Sequence, residues 1–437
     1  MSRVVVIGGG ICGAAAALTL ARSGQDVMIV ERSDSLGGLV TSFSVGGTPV
    51  EIFYHHLIPN ELDILELLRE LGLDGKVSWF DSRVAVFTQG RMWGFTGPLD
   101  LLRFKPLPLI DRIRTGLGAL RFGPKRDWRP LDQVPAVKWL ADITSKRASR
   151  EIWTPLLQAK FGPAAGQVPA AWMWARMKQR ALGRKRGKEV LGYLRGGFKQ
   201  MFQAIEKELV ARGAEVRTGS GVDQIVTESE RVTGVTIGGQ FVAAEAVLFA
   251  GQLPALPRLL PEELHDERWT RAQGLGVICA VLELNRALTH AFWTNVCDSE
   301  IPFGGIIELT DLVPASDYQG RHIVYLSRYF LSEEPIAKVD PTEEAHRWVG
   351  ILEAKVPGFT RDMLLGVHGF RASYAAPLVT LNYQAQIPPI ESHVAGLYVA
   401  TTAQIYPEDR GMSEGVRMGN RAARIVLKRR ESVTDAS

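Results

Sequence analysis

The sequence predicts an α/β fold with more than one domain, one of them Rossmann-like. Three observations carry this prediction. The chain has 437 residues, more than one hydrophobic core usually holds. A glycine-rich turn near residue 10 lies between a buried strand and an alanine-rich helix, as in a βαβ unit. A second apolar strand follows directly after that helix.

The composition is that of a globular protein and excludes several other classes. Hydrophobic residues make up 46% and charged residues 22% of the chain, with a mean hydropathy of +0.01, which argues against disorder. No apolar run reaches the roughly 18 residues of a transmembrane helix, and the first run lacks the flanks of a signal peptide. The three cysteines, Cys12, Cys279 and Cys297, predict neither a disulfide framework nor a metal site. We therefore expect a reducing cytoplasm.

The first forty residues predict a dinucleotide site. Val4–Ile7 reads as a buried strand, and Gly8, Gly10 and Gly13 form a GxGxxG motif before a helix. The glycines permit a tight turn, close approach of a pyrophosphate and close packing of helix on strand. The helix N-terminus offers free N–H groups to phosphates. Glu31 ends the second strand, where a carboxylate can accept both ribose hydroxyls.

The residues after Glu31 distinguish FAD from NAD. The stretch Arg32-Ser33-Asp34-Ser35-Leu36-Gly37-Gly38-Leu39 resembles the second glycine motif of FAD enzymes of the amine oxidase, protoporphyrinogen oxidase and phytoene desaturase superfamily. UDP-galactopyranose mutase is a more distant relative. The resemblance implies non-covalent FAD, with the Gly37-Gly38 pair against its phosphates and ribityl chain. It also implies cofactor contacts from Ile11, Cys12, Arg32 and Leu39.

Three later segments resemble other parts of the same superfamily. The stretch from Gly196 to Val222 resembles its returning helix and strand, in which the valine backbone meets adenine. Ala244–Gly251 resembles the strand that re-enters the FAD domain, and implies a contact from Ala250. The C-terminal stretch resembles the flavin motif, and implies contacts from Tyr406, Arg410, Gly411 and Met412. The sequence contains no second GxGxxG motif of this quality. It therefore does not predict a separate NAD(P) domain.

The resemblance implies two interleaved domains. A Rossmann-like FAD/NAD(P)-binding domain would comprise residues 1–90, 188–255 and 380–437. An α+β substrate domain would comprise residues 91–187 and 256–379, with helices near Val134–Ala141 and Ser149–Gln158 and strands near Val277–Leu284, Ile306–Leu309 and Ile323–Tyr329. We expect residues 431–437 to be a disordered tail.

Four polar residues are candidate catalytic groups. His55 matches a histidine that the mutases carry over the flavin, although a purely structural hydrogen bond is an equal alternative. Glu308 follows an apolar strand of the substrate region, and Arg371 and Tyr374 precede Pro377, where family members pass a strand beside the flavin. Neighbouring histidines of an extended segment face opposite ways, so at most one of His55 and His56 reaches the flavin.

The leading functional prediction is an FAD-dependent oxidoreductase. The resemblance implies that it takes a hydride from a C–H or C–N centre of an organic substrate onto flavin N5. The alternative is a redox-neutral mutase acting on a nucleotide sugar or glycolipid. A third interpretation is a scaffold protein in which FAD is structural. A dinucleotide buried under a second domain is instead the arrangement expected of an enzyme.

The net charge of +4 is unevenly distributed. Residues 101–130 carry eight cations against two carboxylates, a net +6, and residues 176–199 carry nine against one, a net +8. The alternatives are a solvated face, an anionic or lipid-linked small-molecule substrate, and an anionic membrane surface. Nucleic acid is not predicted, because no recognition motif is present. Gly97–Leu120 mixes apolar and basic residues and could lie on a bilayer, which makes the inner face of the membrane an alternative location.

Overall fold

The computed structural model describes residues 3–119, 127–185 and 188–434. Its strands are β1 (Arg3–Ile7), β2 (Asp26–Val30), β3 (Ser42–Val45), β4 (Thr48–Glu51), β5 (Val77–Asp81), β6 (Val84–Thr88), β7 (Arg91–Gly94), β8 (Arg184–Lys185), β9 (Lys188–Leu194), β10 (Glu215–Arg217), β11 (Val222–Glu228), β12 (Arg231–Ile237), β13 (Gln240–Ala243), β14 (Ala246–Phe249), β15 (Gly274–Leu284), β16 (Trp293–Val296), β17 (Gly305–Glu308), β18 (His322–Phe330), β19 (Leu364–Pro377) and β20 (Leu397–Val399).

Its α-helices are α1 (Ile11–Arg22), α2 (Leu62–Glu70), α3 (Pro98–Arg103), α4 (Leu109–Ala119), α5 (Ala136–Ile143), α6 (Lys146–Ala148), α7 (Thr154–Phe161), α8 (Ala170–Leu182), α9 (Lys199–Ala211), α10 (Glu267–Thr270), α11 (Leu309–Leu312), α12 (Pro341–Lys355), α13 (Tyr383–Gln386) and α14 (Met412–Thr434).

A five-stranded parallel sheet in the order β10-β2-β1-β14-β20 forms the first domain. Its central strands are apolar on both faces, because helices α1, α9 and α14 cover one face and strands β11–β13 lie on the other. Such continuous burial is typical of parallel strands. The carboxyl ends of β1, β2 and β14 meet at one edge, where an open parallel sheet binds its ligand.

A seven-stranded sheet in the order β19-β15-β18-β17-β16-β6-β7 forms the second domain. Helix α12 packs on one face through Trp348, Val349 and Leu352. The three predicted strands are present as β15, β17 and β18. The predicted boundary at residue 90 needs correction, because Val84–Thr88 pairs in parallel with β16 and so belongs to this sheet.

Helices α5–α8 form a cap on the second domain. The four tryptophans of this cap are all buried in its core: Trp139, Trp153, Trp172 and Trp174. The predicted helix at Val134–Ala141 is α5, shifted by two residues. The one predicted at Ser149–Gln158 is a π-helical turn over Ser149–Trp153 that continues into α7.

The C-terminal tail differs from the prediction. Residues 431–434 continue helix α14, and 435–437 lie outside the described residues, as do the basic residues Arg121, Lys125, Arg126 and Arg186. Within the described ranges no helix combines the length and apolar character needed to cross a bilayer.

Candidate cofactor and active site

The first glycine motif forms a tight turn that only glycine can form at two positions. A Cβ at Gly13 would lie 1.9 Å from the carbonyl oxygen of Gly8, and Gly8 itself has a φ of +106°. The amide of Gly8 donates to the Val30 carbonyl (2.8 Å), and the amide of Ala250 donates to the Ile7 carbonyl (2.8 Å). These bonds hold the turn between the ends of β2 and β14.

The second glycine motif lies directly against the first. The Gly37 amide donates to the Gly9 carbonyl at 2.9 Å, and a Cβ at Gly38 would lie 3.1 Å from the Cα of Gly10. A Cβ at Gly10 would meet no atom within 4 Å, so the turn faces an open cradle. Leu39 is half-buried beside it. An uncovered glycine turn at a helix N-terminus fits the pyrophosphate of a dinucleotide.

Glu31 lies at the end of β2 beside the cradle. Its carboxylate accepts from the Gly9 amide (2.6 Å) and from the Ser33 amide (2.8 Å). The segment before Val222 folds onto this loop, since the Ser220 amide donates to the Glu31 carbonyl (3.1 Å). Arg32 lies beside this segment, with its Nε 3.8 Å from the position of a Cβ at Gly221. The residues predicted for the ribose and adenine are therefore neighbours.

Helix α14 brings the C-terminal motif to the same place. A Cβ at Gly419 would lie 2.2 Å from the Cys12 carbonyl, and one at Gly415 would lie 2.4 Å from the Ile11 side chain. The two glycines thus let α14 pack closely on α1. This packing places Gly411 and Met412, at the N-terminus of α14, next to the first glycine turn. That helix terminus can stabilise negative charge on a bound group.

A buried charged cluster lies where this motif meets the cap. Asp409 accepts from Lys160 of α7 and from Arg176 of α8, each at 2.6 Å. Arg410 donates to the Tyr329 hydroxyl of β18 at 3.1 Å, and its Nε is buried with no hydrogen-bond partner among the described residues. We call Lys160, Arg176, Asp409 and Arg410 the interdomain cluster. It contains three cations and one carboxylate.

Burial and charge shift the pKa values in this cluster. Burial lowers the pKa of Lys160 to about 7. Repulsion by Arg176 and Arg410 also lowers this pKa, whereas attraction to Asp409 raises it. Burial disfavours ionisation of Asp409, but Lys160, Arg176 and Arg410 outweigh it and hold the pKa of Asp409 below its usual range. Lys160 therefore titrates near neutral pH while Asp409 stays ionised.

Aromatic rings surround the Lys160 ammonium. It lies 4.6 Å from the ring centre of Trp172 and 5.8 Å from that of Tyr329, distances at which a ring stabilises a cation. The Arg176 guanidinium lies 5.5 Å from the Trp172 ring. Of the four cap tryptophans, Trp172 thus contributes to the site, whereas the tryptophans as a group form the core of the cap.

Two of the four predicted catalytic residues lie near the interdomain cluster. Burial lowers the pKa of His55 to about 4, and the positive charge of the nearby Arg410 contributes to this shift. Its Nδ1 lies 2.6 Å from the Phe53 carbonyl and must therefore carry the hydrogen, which leaves Nε2 as an acceptor. Burial raises the pKa of Tyr374 to about 12, and Arg410 is among its neighbours. The ring of His56 packs edge-on against Phe292, with 5.5 Å between the ring centres.

The other two assignments are corrected by the structure. Glu308 is buried and its carboxylate accepts from the amides of Leu288 (3.0 Å) and Thr289 (2.6 Å) and from the Thr289 hydroxyl (2.7 Å). It therefore holds a loop in place. Arg371 is exposed and donates to the carbonyls of Ala337 and Val339. Neither side chain faces the interdomain cluster.

The sequence did not predict Lys160 as a candidate site residue. Arg176 was visible only as one member of a basic segment. Lys160 had a weak local signal, because it follows Leu157 and precedes Phe161, both buried, on the same helix. A lysine in that setting must find a carboxylate or lose its charge, but the sequence does not show which carboxylate.

The fold and the site define a Rossmann-type dinucleotide-binding protein with a second domain over the cofactor edge. The family model for flavin-containing amine oxidoreductases matches residues 11–427. The chain belongs to this family, and the predictions of family, fold and FAD are confirmed. The open cradle at Gly10 and the position of Glu31 fit that cofactor.

Individual relatives show the breadth of the family. AofH of Mycobacterium tuberculosis, provisionally named a flavin-containing monoamine oxidase, is 27% identical over 271 residues, 59% of this chain and 58% of that one. The chain spans a little over half the length of the first curated relatives it matches. Further relatives are amine oxidases and carotenoid desaturases.

Solved structures share the fold along almost the whole chain. A protein of Exiguobacterium sp. 255-15, provisionally named a protoporphyrinogen oxidase, gives a TM-score of 0.76 at 16% identity and covers 98% of this chain and 99% of its own. Reduced UDP-galactopyranose mutase gives 0.77 at 14% identity, with 98% and 96% covered. At these identities the likeness shows the fold alone.

Proposed function

We propose that the protein is an FAD-dependent oxidoreductase that oxidises a C–H or C–N centre of a small organic molecule carrying an anionic group. The observation that carries the proposal is the interdomain cluster beside the N-terminus of α14. Within the cluster three cations face one carboxylate, Asp409, and the Lys160 and Asp409 side chains are only 16% and 17% exposed. Burial raises the pKa values of the neighbouring Glu61 and Glu414, which favours their neutral forms. An excess of buried positive charge is costly unless an anion joins it.

The residues have distinct parts in this proposal. The glycine turns, Glu31 and the start of α14 would hold FAD, which when bound supplies the two-electron acceptor. Lys160 and Arg176 would bind the anionic group of the substrate, and so fix its orientation in a site from which the two domains exclude water. His55 Nε2 would accept a proton, and Tyr374 would border the substrate. Arg410, with its unpaired Nε, would contact the substrate or the cofactor.

The same cluster disfavours a protonated amine as the substrate form. A cation entering the site would meet Lys160, Arg176 and Arg410, while Asp409 is already shared between two of them and burial favours the neutral forms of Glu61 and Glu414. Like charges in a poorly hydrated site repel strongly. The proposal therefore separates this chain from relatives that are named amine oxidases, and favours carboxylate- or phosphate-bearing substrates.

Benzoate and benzylamine test this choice, because they match in size and differ in charge. We expect benzoate to perturb the flavin absorbance of the holoprotein and benzylamine to leave it unchanged. Because Lys160 must be protonated, benzoate affinity should fall as the pH rises through about 7, by about tenfold for loss of one favourable charge. Spectral titrations from pH 6 to 8.5 measure this.

Two variants at Lys160 provide the controls. Lys160→Arg keeps a charge that does not titrate in this range, so its benzoate affinity should show little pH dependence. Lys160→Met should bind weakly at every pH. Tighter binding of benzylamine than of benzoate by the wild-type protein, or the same pH profile in Lys160→Arg, would contradict the proposed role.

A redox-neutral mutase remains the second candidate, because the cationic cluster would also suit the diphosphate of a nucleotide sugar. Reduction with dithionite under argon followed by admission of air separates the two. Reoxidation within seconds supports an oxidase. Persistence of the reduced form, together with tighter binding of UDP-galactopyranose to it, supports the mutase.

We also propose that the protein is located in the cytoplasm. The three cysteines are free thiols, Cys12 and Cys279 being buried, and this supports the predicted cytoplasm.

A further inference from the structure

Helices α3 and α4 form an apolar surface on the second domain. Among the described residues, twelve large hydrophobic side chains are exposed, and six of them belong to this pair: Leu99 (67%), Leu102 (47%), Leu109 (59%), Ile110 (58%), Ile113 (43%) and Leu117 (57%). The two helices are neighbours, since Leu101 of α3 lies 3.5 Å from the position of a Cβ at Gly116 of α4. Isolated exposed hydrophobics are ordinary, but a contiguous set marks a binding surface.

Helix α4 has its polarity reversed relative to an ordinary surface helix. Asp111 and Thr115 face the protein and are 9% and 5% exposed, and the Thr115 hydroxyl donates to the Asp111 carbonyl (2.7 Å). The outward face carries Leu109, Ile113 and Leu117, which recur every four residues along one side of the helix. A helix in water normally buries this stripe. We therefore expect the stripe to have a partner outside this domain.

Basic side chains flank the apolar stripe. Arg103, Lys105 and Arg114 are exposed and form no ion pair within the described part of the chain. Arg112 differs, because it donates to the carbonyls of Leu102 and Leu107 and so ties the two helices together. Apolar side chains bordered by unpaired cations complement a bilayer with anionic headgroups, where the side chains enter the acyl boundary and the cations remain at the phosphates.

The surface is rigidly connected to the rest of the second domain. Phe104 and Leu107, in the link between the helices, are fully buried in the core of the cap, and the Phe104 ring lies 5.4 Å from that of Phe95. Tyr406 of the cofactor motif packs against the same core. A membrane bound by α3 and α4 would therefore lie against the domain that covers the cofactor edge.

We propose that α3 and α4 dock the protein on an anionic phospholipid bilayer as a peripheral contact. This goes beyond the proposed reaction and does not depend on it, since the surface lies outside the interdomain cluster. A surface of this kind suits a substrate or an electron acceptor dissolved in the lipid.

Sedimentation with vesicles tests the proposal on the full-length holoprotein. We expect binding to vesicles of phosphatidylcholine with about one third phosphatidylglycerol, and little binding to phosphatidylcholine alone. The triple variant Leu109→Ser/Ile113→Ser/Leu117→Ser should lose at least about tenfold in partition coefficient. Arg103→Gln/Lys105→Gln/Arg114→Gln should lose roughly a hundredfold, because each surface cation contributes about fivefold. Added salt should weaken the binding of the wild-type protein to the anionic vesicles.

The matched control is Phe241→Ser/Leu365→Ser, which removes two exposed hydrophobics of strands β13 and β19, outside helices α3 and α4, and should bind as the wild type does. Flavin content and the melting temperature show that each variant is folded. Equal binding of all variants, or no binding by the wild type, would overturn the proposal. So would a stable dimer, seen by light scattering, that the apolar triple variant converts to monomer, because a second copy would then cover the stripe.

Discussion

Replacing Glu31 with alanine should remove FAD from the purified protein. The carboxylate lies at the end of β2, where we expect it to accept the ribose hydroxyls, and it accepts hydrogen bonds from the amides of Gly9 and Ser33, which shape the two glycine turns. The variant thus loses a ligand contact and support for the cradle. We expect flavin occupancy to fall to about a tenth or less, since each charge-assisted bond contributes about 1.5–3 kcal/mol.

The ratio of flavin to protein absorbance measures this result directly. Asp34→Ala is the matched control, because Asp34 is an exposed carboxylate of the same loop with no part in the turn; it should keep its FAD. Adding excess FAD to Glu31→Ala distinguishes weak binding, which is restored, from collapse of the site. Full occupancy of Glu31→Ala as purified would contradict the assignment.

Asp409→Asn should be the most destabilising conservative change in the interdomain cluster. It leaves the Lys160 and Arg176 side chains without the carboxylate that both contact. Removing one partner of a buried ion pair typically costs about 3–5 kcal/mol, because the remaining charge stays desolvated. We expect a loss of about 3 kcal/mol near pH 6, seen as a fall of several degrees in the melting temperature of the holoprotein.

The pH dependence of this loss has a definite sign. The pKa of Lys160 in the folded protein, about 7, is below its unfolded value, so the unfolded chain binds more protons between the two and the stability of the folded state rises with pH in that window. Above pH 7 Lys160 becomes neutral, and its interaction with Asp409 then contributes less to stability. The difference between wild type and Asp409→Asn should therefore be larger at pH 6 than at pH 8.5, although Arg176 stays charged throughout.

Asp81→Asn is the control for Asp409→Asn. Asp81 pairs with Lys188, and the side chains are 61% and 69% exposed, so loss of this surface pair should cost under about 1 kcal/mol. Equal effects of the two substitutions would show that the interdomain cluster is solvated like the surface and would remove the basis for an anion site.

The cofactor half of the molecule could be predicted because its signals are local. Gly8, Gly13 and Glu31 lie within one βαβ unit, and each has a steric or hydrogen-bonding reason to be the residue it is. The C-terminal motif was found by resemblance, and its position became explicable only with the α1–α14 contact at Gly415 and Gly419. Nothing in the local sequence near Gly419 shows that it meets the Cys12 carbonyl.

The substrate half could not be predicted in the same way because its contacts are distant in sequence. Asp409 lies 249 residues from Lys160 and 233 from Arg176, and a charged turn such as 408–410 is most often at the surface. Glu308 was misassigned because a carboxylate at the end of a buried strand can either catalyse or hold a loop. Only the three hydrogen bonds it accepts distinguish these roles.

Anaerobic mixing of the oxidised holoprotein with oxidisable compounds tests the central claim most directly. The compounds should be grouped by charge: amino and hydroxy carboxylates and carboxylated porphyrinogens, then neutral and cationic amines, then UDP-galactopyranose. We predict that an anionic compound bleaches the flavin band at about 450 nm with no added reductant, and that Lys160→Met slows this bleaching. Bleaching by cationic amines alone, or turnover of the nucleotide sugar only after dithionite reduction, would contradict the account.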